Sequence, residues 1–308
     1  MTTLKYGILN KHQPKQKAIS GIKKYNLKIL EPYLYLLPSL LVFAFFVFYP
    51  FIKTLYLSLN STDAQGRIIY FVGFQNYMEL FLSHSFQNSI IVSFKFAFMV
   101  VIPSVLIGFI LAVLGNVRIK GISLFRTIYA LPMAISSACA AIIWLILFHP
   151  SIGIINYILN SSIGYLTDSK WALPAISIVT VWMNIGINYI FMIAGLQNIP
   201  RELYESASID GAGIFRKHLS VTIPSLSPVL FFIITIDIIN SFQAFGQVNL
   251  MTSGGPGEAT NVLEYLIYRD AFFNNRFGMA SAESIILFIL LLILTLLQFQ
   301  FGEKRVNY

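Results

Sequence analysis

The sequence predicts an all-α integral membrane protein of about six transmembrane helices with one structured polar loop between the fourth and fifth. Three observations predict it. Of the 308 residues, 56% are hydrophobic and 11% are charged, against roughly 25% charged in an ordinary soluble domain. Six stretches of about 20 predominantly apolar residues, each enough to cross a bilayer, are separated by polar or glycine-rich breaks. Basic residues gather in alternate breaks, the bias that orients helices in a membrane.

The first 31 residues form a basic tail, in which Lys5, Lys11, Lys15, Lys17, Lys23, Lys24 and Lys28 all precede the first acidic residue, Glu31. A first span follows from about Tyr33 to Leu57. It is too long for the apolar core of a cleavable signal and no small-residue cleavage pattern follows it, so it is expected to be retained. The later spans run approximately from Ile90 to Leu114, Leu124 to Phe148, Ala172 to Leu196, Val221 to Phe245 and Gly278 to Phe301. Pro50, Pro103 and Pro132 fall inside spans, which a packed membrane bundle accommodates better than a soluble helix does. Residues 32–302 are therefore read as one transmembrane domain, followed by a short cytoplasmic tail at 303–308.

A net charge of +8 can reflect nucleic acid, an anionic solute or membrane orientation. With six spans, fifteen of the 21 basic residues fall on one side: the seven tail lysines, Arg118, Lys120, Arg126, Arg201, Arg216, Lys217, Lys304 and Arg305. The charge is thus topological, and it places both termini in the cytoplasm. No stretch is long and polar enough to supply the basic face that nucleic acid requires. Lys53 and Lys95, near the outer ends of their spans, are expected to snorkel to the interface. On the outer side, 246–277 opens on Gly254-Gly255-Pro256-Gly257 and continues into a helical stripe of Leu263, Leu266, Ile267 and Phe273, expected as a short helix on the outer surface.

The single cysteine, Cys139, lies in an apolar run, which leaves no internal disulfide and suggests a small core residue. The chain has no GxxxxGK[ST], HExxH or GxSxG pattern, and His12, His84, His149 and His218 share no paired spacing. No catalytic residue, metal ligand or cofactor is expected in this chain, which disfavours an enzyme. An active transporter without a nucleotide site either couples to an ion gradient or borrows ATP hydrolysis from a partner.

The loop at about 198–220 points to the partner. Pro200 suits a helix start, Glu202 and Glu205 favour its N-terminal half, and Gly211 supplies a stop, predicting a helix over about 200–209. A second short helix over about 212–219 ends in Arg216, Lys217 and His218, as a helix C-terminus prefers. Ser206, Ala207 and Ser208 leave a low flank that another protein can approach, while Glu205 and Asp210 offer it charge. Read by periodicity alone, the same segment is also a solvated amphipathic hairpin.

The string Glu205-Ser206-Ala207 with Asp210-Gly211-Ala212, then Ile223-Pro224 and Pro228, resembles the EAA loop of permease subunits in binding-protein-dependent ABC importers. Phe125-Arg126-Thr127 with Leu131-Pro132, Trp144 with Phe148-x-Pro150-Ser151-x-Gly153, Gln197-x-Ile199-Pro200, and Thr252-Ser253-Gly254-Gly255-Pro256 followed by Ile267-Tyr268-Arg269 resemble its carbohydrate-uptake branch. The likeness runs in order from about Glu31 to the C-terminus and is strongest to the first permease of glycerol-3-phosphate uptake systems, with sugar permeases behind it. Ser206 departs from the usual alanine, a small-for-small change. The resemblance implies a bacterial plasma-membrane protein that pairs with a second, similar permease, two cytoplasmic ATPase subunits that bind ATP and magnesium, and an external solute-binding protein. It assigns Glu205, Ser206, Ala207, Asp210 and Gly211 to ATPase coupling.

Polar side chains in spans face the bundle interior, because facing lipid leaves them unpaired. In the fifth span Asp237, Asn240, Ala244 and Gln247 follow at intervals of three, four and three, with Ser241 and Gln243 beside them; in the fourth, Thr180, Asn184 and Asn188 follow at intervals of four. Asn184, Asn188, Asp237, Asn240, Gln243 and Gln247 are the candidate pathway residues, since amides and carboxylates hold hydroxyls by directional hydrogen bonds. Two other readings stay open here: the polar groups are interhelical glue, or they bind solute with an ion in a gradient-driven transporter. Glu283 reads either as a charge near an outer gate or as a group paired within the subunit.

Overall fold

In the computed structural model of the chain, residues 32–117 and 119–302 are described. The basic tail at 1–31, Arg118 and the tail at 303–308 lie outside them, and with them most of the charges behind the orientation. The chain divides into two compact units between Lys53 and Thr54, a boundary that falls within the first helix, α1 (Pro32–Ser58). A π-turn at Ala44–Phe48 relaxes α1 just ahead of Pro50. Proline has no N–H to donate and its ring crowds the carbonyl four residues back, here Phe46, so widening the helix there removes the clash.

The second unit begins with a two-stranded antiparallel hairpin, β1 (Asn60–Thr62) and β2 (Ile68–Phe71), pairing Asn60 with Phe71 and Ser61 with Tyr70. The Asp63 carboxylate accepts from the backbone of Gln65 and Arg67 and closes the turn. The short helix α2 (Gln75–Leu82) then leads into α3 (His84–Gly115), whose Ser83 cap accepts from the Phe86 N–H. Buried on α3 at intervals of four or seven residues are Ser89, Ser93, Ala97, Ser104, Gly108 and Ala112. Lipid tails are as apolar as leucine, so membrane helices associate through close packing, and this small-residue face admits α7 (Ser169–Gln197).

Between α3 and α7 the third expected span is broken. α4 (Ile122–Ala134) and α5 (Ser137–Leu147) meet at 104°. Pro132 sits in a 3-10 turn at Leu131–Ala134, Ile135 is extended, and Ser136 caps α5 by accepting from the Cys139 N–H, so the ladder of helical hydrogen bonds restarts rather than continues. Cys139 is exposed, correcting its expected core position, because α5 buries Ala140 and Ala141 instead. A single turn, α6 (Ile154–Ile158), precedes α7.

The fifth expected span is broken too. After α8 (Arg201–Ile209), α9 (Ile214–Ser225) meets α10 (Ser227–Phe242) at 72° across Leu226. Pro228 removes an N–H and crowds the carbonyl of Pro224, and together they make this the place where the chain bends. Two short helices follow, α11 (Gly246–Met251) and α12 (Leu263–Tyr268), the latter prolonged as a π-turn through Phe273. The last is α13 (Phe277–Gly302). Among the described residues, helices α1, α3, α7 and α13 are each long and apolar enough to cross a membrane, and counting each bent pair as one span brings the number to six.

The helix expected on the outer surface is instead tucked inside: Leu263, Tyr265 and Leu266 of α12 are buried. Ser93 of α3 accepts the Leu263 N–H at 2.8 Å, satisfying a donor that the first turn of a helix leaves orphaned. Three buried clusters hold the unit together. One is centred on Phe96, Ile176 and Val248, a second on Phe242, Leu263 and Ala282, and a third on Tyr189, Met192 and Leu226.

Candidate solute cavity and coupling hairpin

α10 ends at Phe242, and the chain turns through Gln243 and Phe245 before α11 starts at Gly246. Asp237, Asn240, Ala244 and Gln247 therefore do not share one continuous helical face, which corrects the expected stripe. The turn is dictated by packing. A Cβ on Gly246 would lie 2.4 Å from the Ser137 hydroxyl at the start of α5, so only glycine lets the two helix starts meet.

The turn nevertheless gathers most of the expected pathway residues. A cavity of about 400 Å³ is lined by Asn184 and Thr180 of α7, Asn240 of α10, Gln243 of the turn, Gln247 of α11 and Ser137 of α5. The Gln247 amide donates to the Thr180 hydroxyl at 2.9 Å, which fixes its carbonyl end. Nδ2 of Asn184 is buried and finds no hydrogen-bond partner among the described residues. Amide and hydroxyl groups make up the polar wall, offering both donors and acceptors and no charge.

Asn188 and Asp237 lie elsewhere. Both are buried, and the Asn188 amide donates to Oδ2 of Asp237 at 2.7 Å, tying α7 to α10 away from the cavity wall. These two residues occupy the position of interhelical glue, whereas Asn184, Asn240, Gln243 and Gln247 line the open space. Helical spacing made all six equivalent in sequence; the partner 49 residues away separated them. Ser137, which reaches the cavity from across the bend in α4–α5, carried no signal in a sequence read as straight spans.

At the other end of α10, helix α8 ends as expected. Gly211 has φ +76°, the left-handed region that glycine enters without penalty. The Ala212 N–H returns to the Ala207 carbonyl at 2.9 Å and the Gly211 N–H to that of Ser208 at 3.1 Å, the paired closure of a helix C-terminus. Glu205, Ser206 and Asp210 are exposed and Ala207 is half-buried. The following helix is longer than expected, because it continues through a π-turn at His218–Thr222 up to Leu226. Sequence spacing missed one feature here altogether. The hydroxyl of Thr222, fully buried, lies 3.0 Å from the Tyr204 hydroxyl of α8 and 3.0 Å from Nδ1 of His218.

A second polar cavity, about 320 Å³, lies at the opposite end of the bundle, between α2, α12 and the start of α13. Arg269 bonds Glu258 at 3.1 Å and the Ser85 hydroxyl at 2.9 Å. The Ser85 hydroxyl, followed by Arg269, holds the Glu258 carboxyl below its ordinary range against an opposing effect of burial. Glu283 lines the same cavity, buried beside Asp270.

Residues 96–307 match the family model described as "Binding-protein-dependent transport system inner membrane component". The chain is 36% identical over 282 residues to the sn-glycerol-3-phosphate transport system permease protein UgpA of Pectobacterium atrosepticum, covering 90% of this chain and 95% of that one. It is 35% identical over 285 residues to UgpA of Agrobacterium fabrum, covering 91% and 97%. Among solved structures, a bacterial ABC transporter involved in the import of the acidic polysaccharide alginate matches with a TM-score of 0.80 and 24% identity, over 92% of this chain and 99% of that one. The same fold is found in the bacterial alginate ABC transporter in complex with a pentasaccharide-bound periplasmic protein, with a TM-score of 0.79 and 23% identity over 95% and 100%.

Proposed function

The chain belongs to the family of inner membrane components of binding-protein-dependent transport systems, and from that premise we propose that it passes a small, hydroxyl-rich solute through the cavity between α5, α7, α10 and α11. It is a multi-pass permease of an ABC importer and not an enzyme. The observation that carries the reading is the convergence of Asn184, Asn240, Gln243 and Gln247 from three helices and a turn on one uncharged polar space. Carboxamides exchange hydrogen bonds with hydroxyls at fixed angles, and hydroxyls are what sugars and glycerol phosphates have in common. A phosphate on the solute would have to be met by groups outside this wall.

The proposal places both termini and the α8–α9 hairpin in the cytoplasm, supported by the fifteen basic residues that six spans put on one side. Glu205, Ser206, Ala207, Asp210 and Gly211 then face an ATPase subunit, with ATP and magnesium held by that partner. A second permease completes the pathway, and an external binding protein delivers the solute. Residues 1–31 and 303–308 are cytoplasmic tails in this arrangement.

Uptake into proteoliposomes, normalised to intact complex, tests the cavity. Asn240→Ala and Gln243→Ala are expected to lower uptake about tenfold at normal complex yield, the scale of hydrogen bonds made to a moving solute. Asp237→Ala is expected to do the reverse, lowering yield and thermal stability while transport per complex holds. Normal uptake in the first two variants would remove the cavity from the pathway. Uptake is expected to stop with vanadate and to survive an ionophore.

A further inference from the structure

The hairpin and the cavity sit at opposite ends of α10, and Thr222 stands between them. Three connections converge on it. Its hydroxyl is 3.0 Å from the hydroxyl of Tyr204, the residue just before the exposed Glu205 of α8. The same oxygen is 3.0 Å from Nδ1 of His218, whose ring meets Phe109 of α3 edge to face at 6.3 Å between centroids. Thr222 itself closes the π-turn of α9, four residues before the bend of 72° at Leu226. A hydroxyl has one proton and two lone pairs, so Thr222 satisfies Tyr204 and His218 at once, and it is buried from competing water.

Along the chain α8 is joined to α9 by the four-residue turn Asp210-Gly211-Ala212-Gly213, and the Thr222 hydroxyl adds a side-chain tie between the two helices. With it the two helices are tied both at the turn and at Thr222, and the next break in the helical axis is the bend at Leu226. Beyond that joint α10 carries Asn240 to the cavity.

We propose that the Tyr204–Thr222–His218 contact locks α8 and α9 into one lever hinged at Leu226, making Tyr204 and Thr222 the positioning residues that convert movement of the docked hairpin into movement of α10. The inference rests on the reading of α8 as the ATPase dock. The π-turn at His218–Thr222 is of the kind found frequently at functional sites. Tyr204 and Thr222 touch neither the cavity nor the exposed face of α8, so their loss leaves solute recognition and docking chemistry in place.

The test uses the whole complex in proteoliposomes, with Cys139→Ser as background and Gln243→Cys as a reporter for a membrane-impermeant maleimide. The labelling rate is compared with and without ATP and vanadate. Tyr204→Phe and Thr222→Val are expected to retain the ATPase subunits and basal hydrolysis while the nucleotide-dependent change in labelling shrinks about fivefold, the scale of one hydrogen bond. Thr222→Ser, which keeps the hydroxyl, is expected to restore it, and the double variant to be no worse than either single one. An unchanged labelling response in Tyr204→Phe and Thr222→Val overturns the lever. So does loss of the ATPase subunits in these variants, which would make the contact part of the dock, or failure of Thr222→Ser to restore the response. Glu205→Lys run in parallel separates the two readings: if it keeps its ATPase subunits, the dock has been misplaced, whatever Thr222 does.

Discussion

At the N-terminal end of α10 the α8–α9 hairpin leaves Ile209, Ile214, Phe215 and Leu219 exposed, Phe215 by 86%. At the C-terminal end, residues 246–276 bury Val262, Leu263, Tyr265 and Leu266 and tie much of their polar surface back to the same chain. There Thr260 donates to the Gly255 carbonyl at 2.7 Å, Asn88 to that of Glu258 at 3.0 Å, and Arg269 bridges Ser85 and Glu258. Both segments are short helices joined by glycine-bearing turns, so the difference does not come from secondary structure. It comes from what each segment is packed against. The second packs its helix α12 against its own chain and leaves only its margins, such as Phe272 and Phe273, exposed, whereas the first has a continuous apolar flank of the kind that a partner covers.

The contrast breaks most severely at Gly211. Proline fixes φ near −65°, against +76° here, and it removes the N–H that the Ser208 carbonyl accepts. Gly211→Pro is expected to redirect α9 and abolish both ATPase co-purification and uptake, with the chain still inserted in the membrane. Co-purification at the wild-type level would mean that the hairpin's shape is not what the partner reads.

A matched pair of truncations sharpens the contrast. Leu263→Ala removes a fully buried side chain of α12 and is expected to cost about 2–5 kcal/mol of stability, read as a lower melting temperature of the purified chain, with ATPase affinity unchanged. Phe215→Ala removes one that is exposed and is expected to leave melting unaltered while weakening ATPase binding by about tenfold, the scale of an aromatic anchor. The same effect on both readouts from either variant would dissolve the distinction between the two ends.

Much of this was legible in the sequence. Apolar runs located α1, α3, α7 and α13 to within a few residues at most boundaries, because a span's length is imposed by the bilayer and not by its neighbours. Gly211 announced the end of α8 for a local reason, the positive φ that a helix terminus requires. The bends at Ile135–Ser136 and Leu226 were not legible, although Pro132, Pro224 and Pro228 were in plain view, because a membrane helix can absorb a proline or break at it according to its packing. The roles of Asn184 and Asn188, one turn apart, diverge because only Asn188 meets a carboxylate from α10. Nothing in local spacing encodes that meeting, nor the contact between Tyr204 and Thr222.

The smallest expected effect concerns acid and the self-sufficient end. The Ser85 hydroxyl, and after it Arg269, hold the folded-state pKa of Glu258 below its ordinary value, with burial opposing them and His84 adding a weaker pull in the same direction. A carboxylate depressed in this way contributes stability that is fully present above the unfolded value, about 4.3, and is lost as the pH falls through the folded one. The ion pair is partly exposed, with about a third of the Glu258 side chain open to solvent, so its contribution is at most about 1 kcal/mol. Amide hydrogen exchange at residues 254–262, corrected for intrinsic rates, is therefore expected to be flat from pH 7 to 5 and to rise modestly below about pH 4.3. Glu258→Gln keeps an acceptor for Ser85 but carries no charge for Arg269, so its exchange is expected to be slightly faster at pH 7 and to show no acid rise. The hairpin, whose carboxylates face solvent, serves as the control, since its exchange has no reason to follow Glu258. An acid rise that persists unchanged in Glu258→Gln would show that the Glu258–Arg269 pair is not its source.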